Sequence, residues 1–168
     1  YFEKGEYQNA IKVWLPLAKK GDPESQIGMG MMHHRGLGTP INIDQAVAWY
    51  QLAADQGYPK GQSNMGVMYM HGFGVEQNYT KSAKWFHLAA KNGIAMAQLN
   101  YAIFYSLGRG VKEDFVHAMK WAIIASKNGN KKAIAFRGLV FFKMTKKERK
   151  LAKLYAKECI RNDYKECL

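Results

Sequence analysis

The sequence predicts an all-α fold, a right-handed superhelical solenoid of helix-turn-helix repeats with a 36-residue period. Three phased sets of residues carry that prediction. Gly36-Leu37-Gly38, Gly72-Phe73-Gly74 and Gly108-Arg109-Gly110 stand 36 residues apart, as do Trp49, Trp85 and Trp121. Gly21, Gly57, Gly93 and Gly129 keep the same spacing, and Asn42, Asn78 and Asp114 fall in phase between them. A Gly-x-Gly stretch before a helix can cradle a phosphate, but such a loop is normally a single element after a strand. No strand pattern precedes these glycines, and three copies in register are architecture.

The elements follow in order. Residues 1–21 read as the second helix of a first or truncated unit, because Ala10, Trp14, Ala18 and Gly21 match Ala46, Tyr50, Ala54 and Gly57. Pro16 removes one backbone hydrogen bond there and predicts a kink. Full repeats are expected at 22–57, 58–93 and 94–129. In the first, Asp22 is a natural N-cap and Pro23 fits the first helical turn, a place that Pro59 takes one unit later. Gly30, Gly66 and Gly138 sit mid-helix, where a glycine costs about 1 kcal/mol against alanine. That cost implies a closely approaching neighbour. Gly72 ends its helix in the left-handed conformation, Val75 anchors the loop, and Asn78 caps the next helix. Ala83, Trp85, Phe86, Ala89 and Ala90 are the expected buried side of that second helix. A hairpin with one apolar side cannot cover itself, so it stacks on its neighbours. Residues 130–168 lose the pattern and gain charge, as a C-terminal capping unit with a water-facing outer side would.

Composition narrows the function. Hydrophobic residues are 48% and charged residues 23% of the 168, enough to bury a core. No apolar run approaches the roughly 18–20 residues needed to span a bilayer. The chain starts inside a helical pattern and is read as a mature or trimmed piece, its signal peptide already removed. The net charge of +12 gathers towards the C-terminus, from Lys131 to Lys157. Aromatic residues fall at repeat-core phases rather than among these cations, so nucleic acid is not the expected partner. Cys159 and Cys167 are the only cysteines. They are either two free thiols or, the preferred reading, a short disulfide pinning the last segment onto the final helix in an oxidising compartment.

Catalytic chemistry finds no foothold. His33 and His34 are adjacent and point to different helix faces, and His71, His87 and His117 occupy different phases. There is no Gly-x-Ser-x-Gly and no metal-ligand spacing, so no catalytic residue, metal or cofactor is expected.

The run "GQSNMGVMYMHGFGVEQNYTKSAKWFHLAAKNG", with its Met-Gly-x-x-Tyr, Gly-x-Gly-Val, Ala-x-x-Trp-aromatic and Ala-Ala-x-x-Gly elements, resembles the Sel-one-like repeat family, a branch of the tetratricopeptide-like solenoids. The resemblance covers nearly the whole chain. His33 in place of Tyr69 and Tyr105, Thr39-Pro40 in the first loop and Ala122 after Trp121 depart from the pattern. The resemblance implies a scaffold or adaptor of bacterial envelope assembly, host interaction or quality control. The ending "ECIRNDYKEC" is similar to the two-cysteine tails of exported members, which implies a periplasmic or secreted location. Cysteine-rich relatives labelled β-lactamases or penicillin binders imply an alternative, but they carry a Cys pair in every unit.

In stacked hairpins the first helices line the concave side. If Met65, Gly66 and Tyr69 are core, then Lys60, Ser63, Val67, Met70 and His71 face the groove. The repeat register adds Ile27, Met31, His34 and Arg35, then Leu99, Ile103, Ser106 and Leu107, and finally Leu139, Phe142 and Lys143. This set is apolar with basic edges and predicts a protein or peptide partner whose acidic groups meet Arg35, Lys60 and Lys143. The opposing expectation is that curvature buries these residues between adjacent first helices. A third possibility is a spacer that self-associates end to end, through an edge near Phe2, Tyr7 and Trp14.

Overall fold

The structure, a computed structural model, describes residues 6–164 and Cys167; Phe2 lies outside them. Among the described residues there are nine α-helices and no strand. They form two compact units, residues 1–77 and 78–168. The first contains α1 (Tyr7–Lys19), α2 (Pro23–Arg35), α3 (Ile43–Asp55) and α4 (Pro59–His71). The second contains α5 (Tyr79–Lys91), α6 (Ala95–Leu107), α7 (Phe115–Lys127), α8 (Lys131–Phe141) and α9 (Lys146–Arg161). Within each unit consecutive helices pack on one another as a solenoid requires, apart from α8 and α9.

The period has a direct structural meaning. Helices α1 to α7 are each 13 residues long, with a short turn after each second helix and a seven-residue loop after each complete first helix. Asn42, Asn78 and Asp114 accept hydrogen bonds from the backbone N–H of Gln45, Lys81 and His117 at 2.9–3.0 Å, fixing the start of each second helix. Asp22 does the same for Ser25 at 2.7 Å, with Pro23 in the first turn. Helix α1 continues through Pro16 to Lys19.

The two glycines of each Gly-x-Gly have different tasks. Gly36, Gly72 and Gly108 are left-handed C-caps, and the amide of the residue after each reaches back to Met32, Met68 and Phe104. Gly38, Gly74 and Gly110 are spacers. A Cβ on them would lie 2.8 Å from Tyr7, 3.0 Å from Ile43 and 2.1 Å from the Tyr79 carbonyl oxygen. Each spacer thus seats its loop on the first turn of the helix that opens 31 residues earlier. Only hydrogen fits.

Mid-helix glycines divide. Gly30 receives the Tyr50 ring, and Gly28 on the same helix receives Trp14, with Cβ positions only 2.4 Å from ring atoms. Helix α2 is therefore gripped by aromatic side chains from α1 and α3. Gly138 differs from the expectation, since nothing lies within 4 Å of a Cβ placed there. The physical reason is that α8 has no hairpin partner on that side. Gly138→Ala should therefore raise stability by about 0.5–1 kcal/mol through helix propensity alone, read as a higher denaturation midpoint at unchanged m-value. No gain would mean that Gly138 carries a constraint beyond its helix.

Burial along the second helices also departs from expectation. Phe86, Ala83, Ala89 and Ala90 are buried, but Trp85 is only half-buried. In the next repeat the pair is inverted: Ala122 follows a buried Trp121, whose ring meets Tyr101 at 5.6 Å and His87 at 6.3 Å. Losing the second aromatic lets the tryptophan take the interior volume.

Candidate partner-binding site

In the first unit the expected face combines α2 and α4. Ile27 and Ser63 lie below the surface, while Met31, Val67 and Met70 are half-buried and Arg35 is exposed. His34 and His71 meet through the loop residue Phe73, at ring-centroid distances of 6.0 and 5.1 Å. Desolvation, then the neighbouring Arg35 charge, holds His34 below the usual histidine range, so it is neutral at pH 7.

Lys60 is not a free cation at the edge. Its Nζ stands 3.6 Å from Glu24, which also accepts a hydrogen bond from the Tyr58 hydroxyl. That bond holds the Tyr58 hydroxyl up at about 12 and, with Lys60, holds Glu24 below the usual carboxylate range. A cavity of about 300 Å³ opens beside this cluster, with Trp14, Leu17, Ile27 and Met31 as apolar walls and Asp22 and Glu24 at its rim. This end of the face is therefore mixed in charge.

In the second unit the face combines α6 and α8. Leu99 is buried with Ala125 and Ala133, and Ile103 packs against that cluster beside Phe136. Ser106 donates its hydroxyl to the Ile103 carbonyl at 2.8 Å, so it serves its own helix. Leu107, Leu139 and Phe142 remain 52%, 70% and 84% exposed. Lys143 sits 5.2 Å above the Phe115 ring, a cation–π contact that leaves it at the surface.

One feature of the sequence escaped pattern reading. Gln26 and Gln98 are buried, and their amides donate to the Ala18 and Ala90 carbonyls at 3.2 and 3.0 Å. Their oxygens accept from Gln56 and Asn128. Each stitches a first helix to the second helix before it. The signal was available, because Gln26, Gln62 and Gln98 share the 36-residue phase, but it is polar, and core searches follow apolar residues.

Among the described residues no cluster of three or more His, Cys, Asp or Glu could hold a metal ion, and no helix is long and apolar enough to cross a membrane. Cys159 and Cys167 are joined in a disulfide, with Cα atoms 4.9 Å apart. This is compatible with a periplasmic or extracellular protein.

These features define a class: a protein built of stacked helical-hairpin repeats. The chain belongs to the Sel1 repeat family, whose pattern matches residues 23–58, 59–94 and 95–130. Sel1 repeat proteins generally mediate protein–protein interaction as non-catalytic scaffolds. Among solved structures the chain is similar to c5321, a protective antigen present in uropathogenic Escherichia coli strains that displays an SLR fold. Identity is 29% and the TM-score 0.87, over 95% of this chain and 34% of that one. It is also similar to a Sel1 repeat protein from Oxalobacter formigenes, at 31% identity and TM-score 0.74, over 79% of this chain and 54% of the other. The chain thus spans about a third and about half of these relatives. No curated protein matches it significantly. The β-lactam alternative finds no support in these matches.

Proposed function

We propose that the chain is a non-catalytic adaptor, exported from a bacterium, that holds a protein or peptide on the face of its first helices. The observation that carries this reading is the exposure of Leu107, Leu139 and Phe142 on or just after α6 and α8, alongside the accessible Met31 and Met70 on α2 and α4. Apolar side chains at successive first helices exceed what a solvated face requires, and methionine adapts its packing to a partner. Arg35 and Lys143 supply positive charge for an acidic partner, while Lys60 is paired with Glu24.

The test is affinity capture from an envelope extract, comparing the wild type with Met31→Glu, Met70→Glu, Leu107→Glu combined. Ile103 is unsuitable, because it packs on the core and a charge there would unfold the unit. We expect a protein held by the wild type to be lost by a variant of equal helicity. Equal capture by both would sink the first-helix face as the binding site.

Assembly through the ends is a second reading, favoured by the exposed Val13 and Leu17 on α1. Concentration-dependent light scattering distinguishes it from the first.

A further inference from the structure

Helices α8 and α9 break the hairpin rule in an informative way. Helices α2 and α3 pack together as a hairpin, as do α6 and α7, but α8 and α9, though consecutive, both pack on α7 instead. The linker explains it. The Gly-x-Gly loops run from Gly36 to Asn42 and from Gly108 to Asp114, whereas α8 and α9 are joined by Phe142 to Thr145 only. Phe142 caps α8 in the right-handed region rather than as a left-handed glycine. The chain therefore leaves α8 in another direction, and Thr145 starts α9 at once with a capping box to Glu148.

The result is a trough with α7 as floor and α8 and α9 as walls. Met119 and Ile123 form the floor, Ile134 and Phe141 one wall, and Ala156 and Ile160 the other. Two adjoining cavities of about 340 and 440 Å³ share Ile123, Arg137 and Lys153 and make it continuous. Arg149 closes one end: its guanidinium donates to the Phe141 carbonyl at 2.9 and 3.1 Å and lies 3.5 Å from the Phe141 ring centroid. The other end is anchored where the Tyr164 hydroxyl donates to Asn128, beyond α7, at 3.0 Å. Charge along the trough has a single sign. Lys127, Arg137, Lys153, Lys157 and Arg161 join Arg149 in its lining, with no Asp or Glu there. Among the described residues none of those five is ion-paired.

We propose that this trough is a second docking site, and that its occupant is an acidic amphipathic helix of a partner protein. Three features select that chemistry. The open place lies alongside α8, where α2 and α6 each have a hairpin helix, so a helix completes the packing that the short linker prevented. The 11 residues of α8 correspond to about 16 Å, the length of a three-turn helix at about 1.5 Å per residue. Apolar floor and basic rim together demand an apolar stripe bordered by carboxylates. Ile134, 62% exposed on the wall, is the contact such a stripe would cover.

The experiment uses the full chain and a stapled, fluorescein-labelled 14-residue helix of glutamates with leucines along one face. A lysine-for-glutamate version and anionic phosphatidylglycerol vesicles serve as comparison probes. Gly138→Trp plugs the trough, because Gly138 lines it and a side chain there meets nothing in the protein. Arg137→Glu with Lys153→Glu reverses the rim. We expect fluorescence anisotropy to show saturable binding of the acidic helix, weakened at least about tenfold by either variant and weakened by added salt. The Met31, Met70, Leu107 variant should bind normally, which separates this site from the first-helix face. Equal affinity for the lysine helix, or unchanged affinity in both variants at native helicity and melting midpoint, would overturn the proposal. So would vesicle binding with no helix binding, which would make the trough a lipid site.

Discussion

Gly110→Ala is expected to destabilise residues 78–168 by about 3–5 kcal/mol, the range reserved for changes the fold cannot absorb. The Cβ would stand 2.1 Å from the Tyr79 oxygen, 2.4 Å from its carbonyl carbon and 2.8 Å from the Thr80 nitrogen. All three are backbone atoms, so no rotamer change relieves the clash. The left-handed φ of +68° adds a second cost, about 1 kcal/mol for any residue with a Cβ. Gly57→Ala is the control, with φ +80° and nothing within 4 Å. It should show the conformational cost alone. Denaturant midpoints for the two variants give the comparison; a Gly110→Ala loss no larger than that of Gly57→Ala would refute the spacer role.

Lys120 supports the second large effect. It is 1% exposed, with Nζ 4.9 Å from the Trp121 ring, whereas Lys84 at the same place one repeat earlier is exposed. What differs is α9, which packs on α7. Desolvation pushes the Lys120 ammonium down from 10.5 to about 8, against a smaller opposing pull from Asp114. The unfolded chain therefore binds the extra proton between those values. Stability contributed by this residue must rise as pH increases from about 8 towards 10.5, and the penalty at pH 7 is on the order of 3 kcal/mol at most. Lys120→Met should relieve part of it, about 1–3 kcal/mol at pH 7. The gain should shrink steadily towards pH 10. Urea titrations of both proteins at pH 7, 8, 9 and 10 check this. A wild-type curve parallel to that of Lys120→Met would mean the ammonium is not desolvated.

The candidate site was legible in unequal parts. The first-helix register placed Met31, Met70, Leu107, Leu139 and Phe142 at accessible positions, because a 36-residue phase carries facing from one repeat to the next. It did not show that Lys60 stands 3.6 Å from Glu24, a residue 36 positions earlier that no apolar pattern marks. The basic C-terminal stretch was visible as composition, but its arrangement around a trough was not. That arrangement depends on α9 choosing α7 over α8, a choice made by the length of a four-residue linker.

The sequence by itself determined the repeat. Glycine spacing, capping Asn and Asp residues and phased alanines are local devices, each satisfied within a hairpin or its immediate neighbour, so their period shows in the chain. Only the tertiary structure decided which glycines were spacers and which were idle, that Lys120 is buried while Lys84 is exposed, and that α8 lacks a hairpin partner. Those outcomes depend on what approaches from outside the hairpin. The same residue type in the same phase meets a helix in one repeat and water in the next.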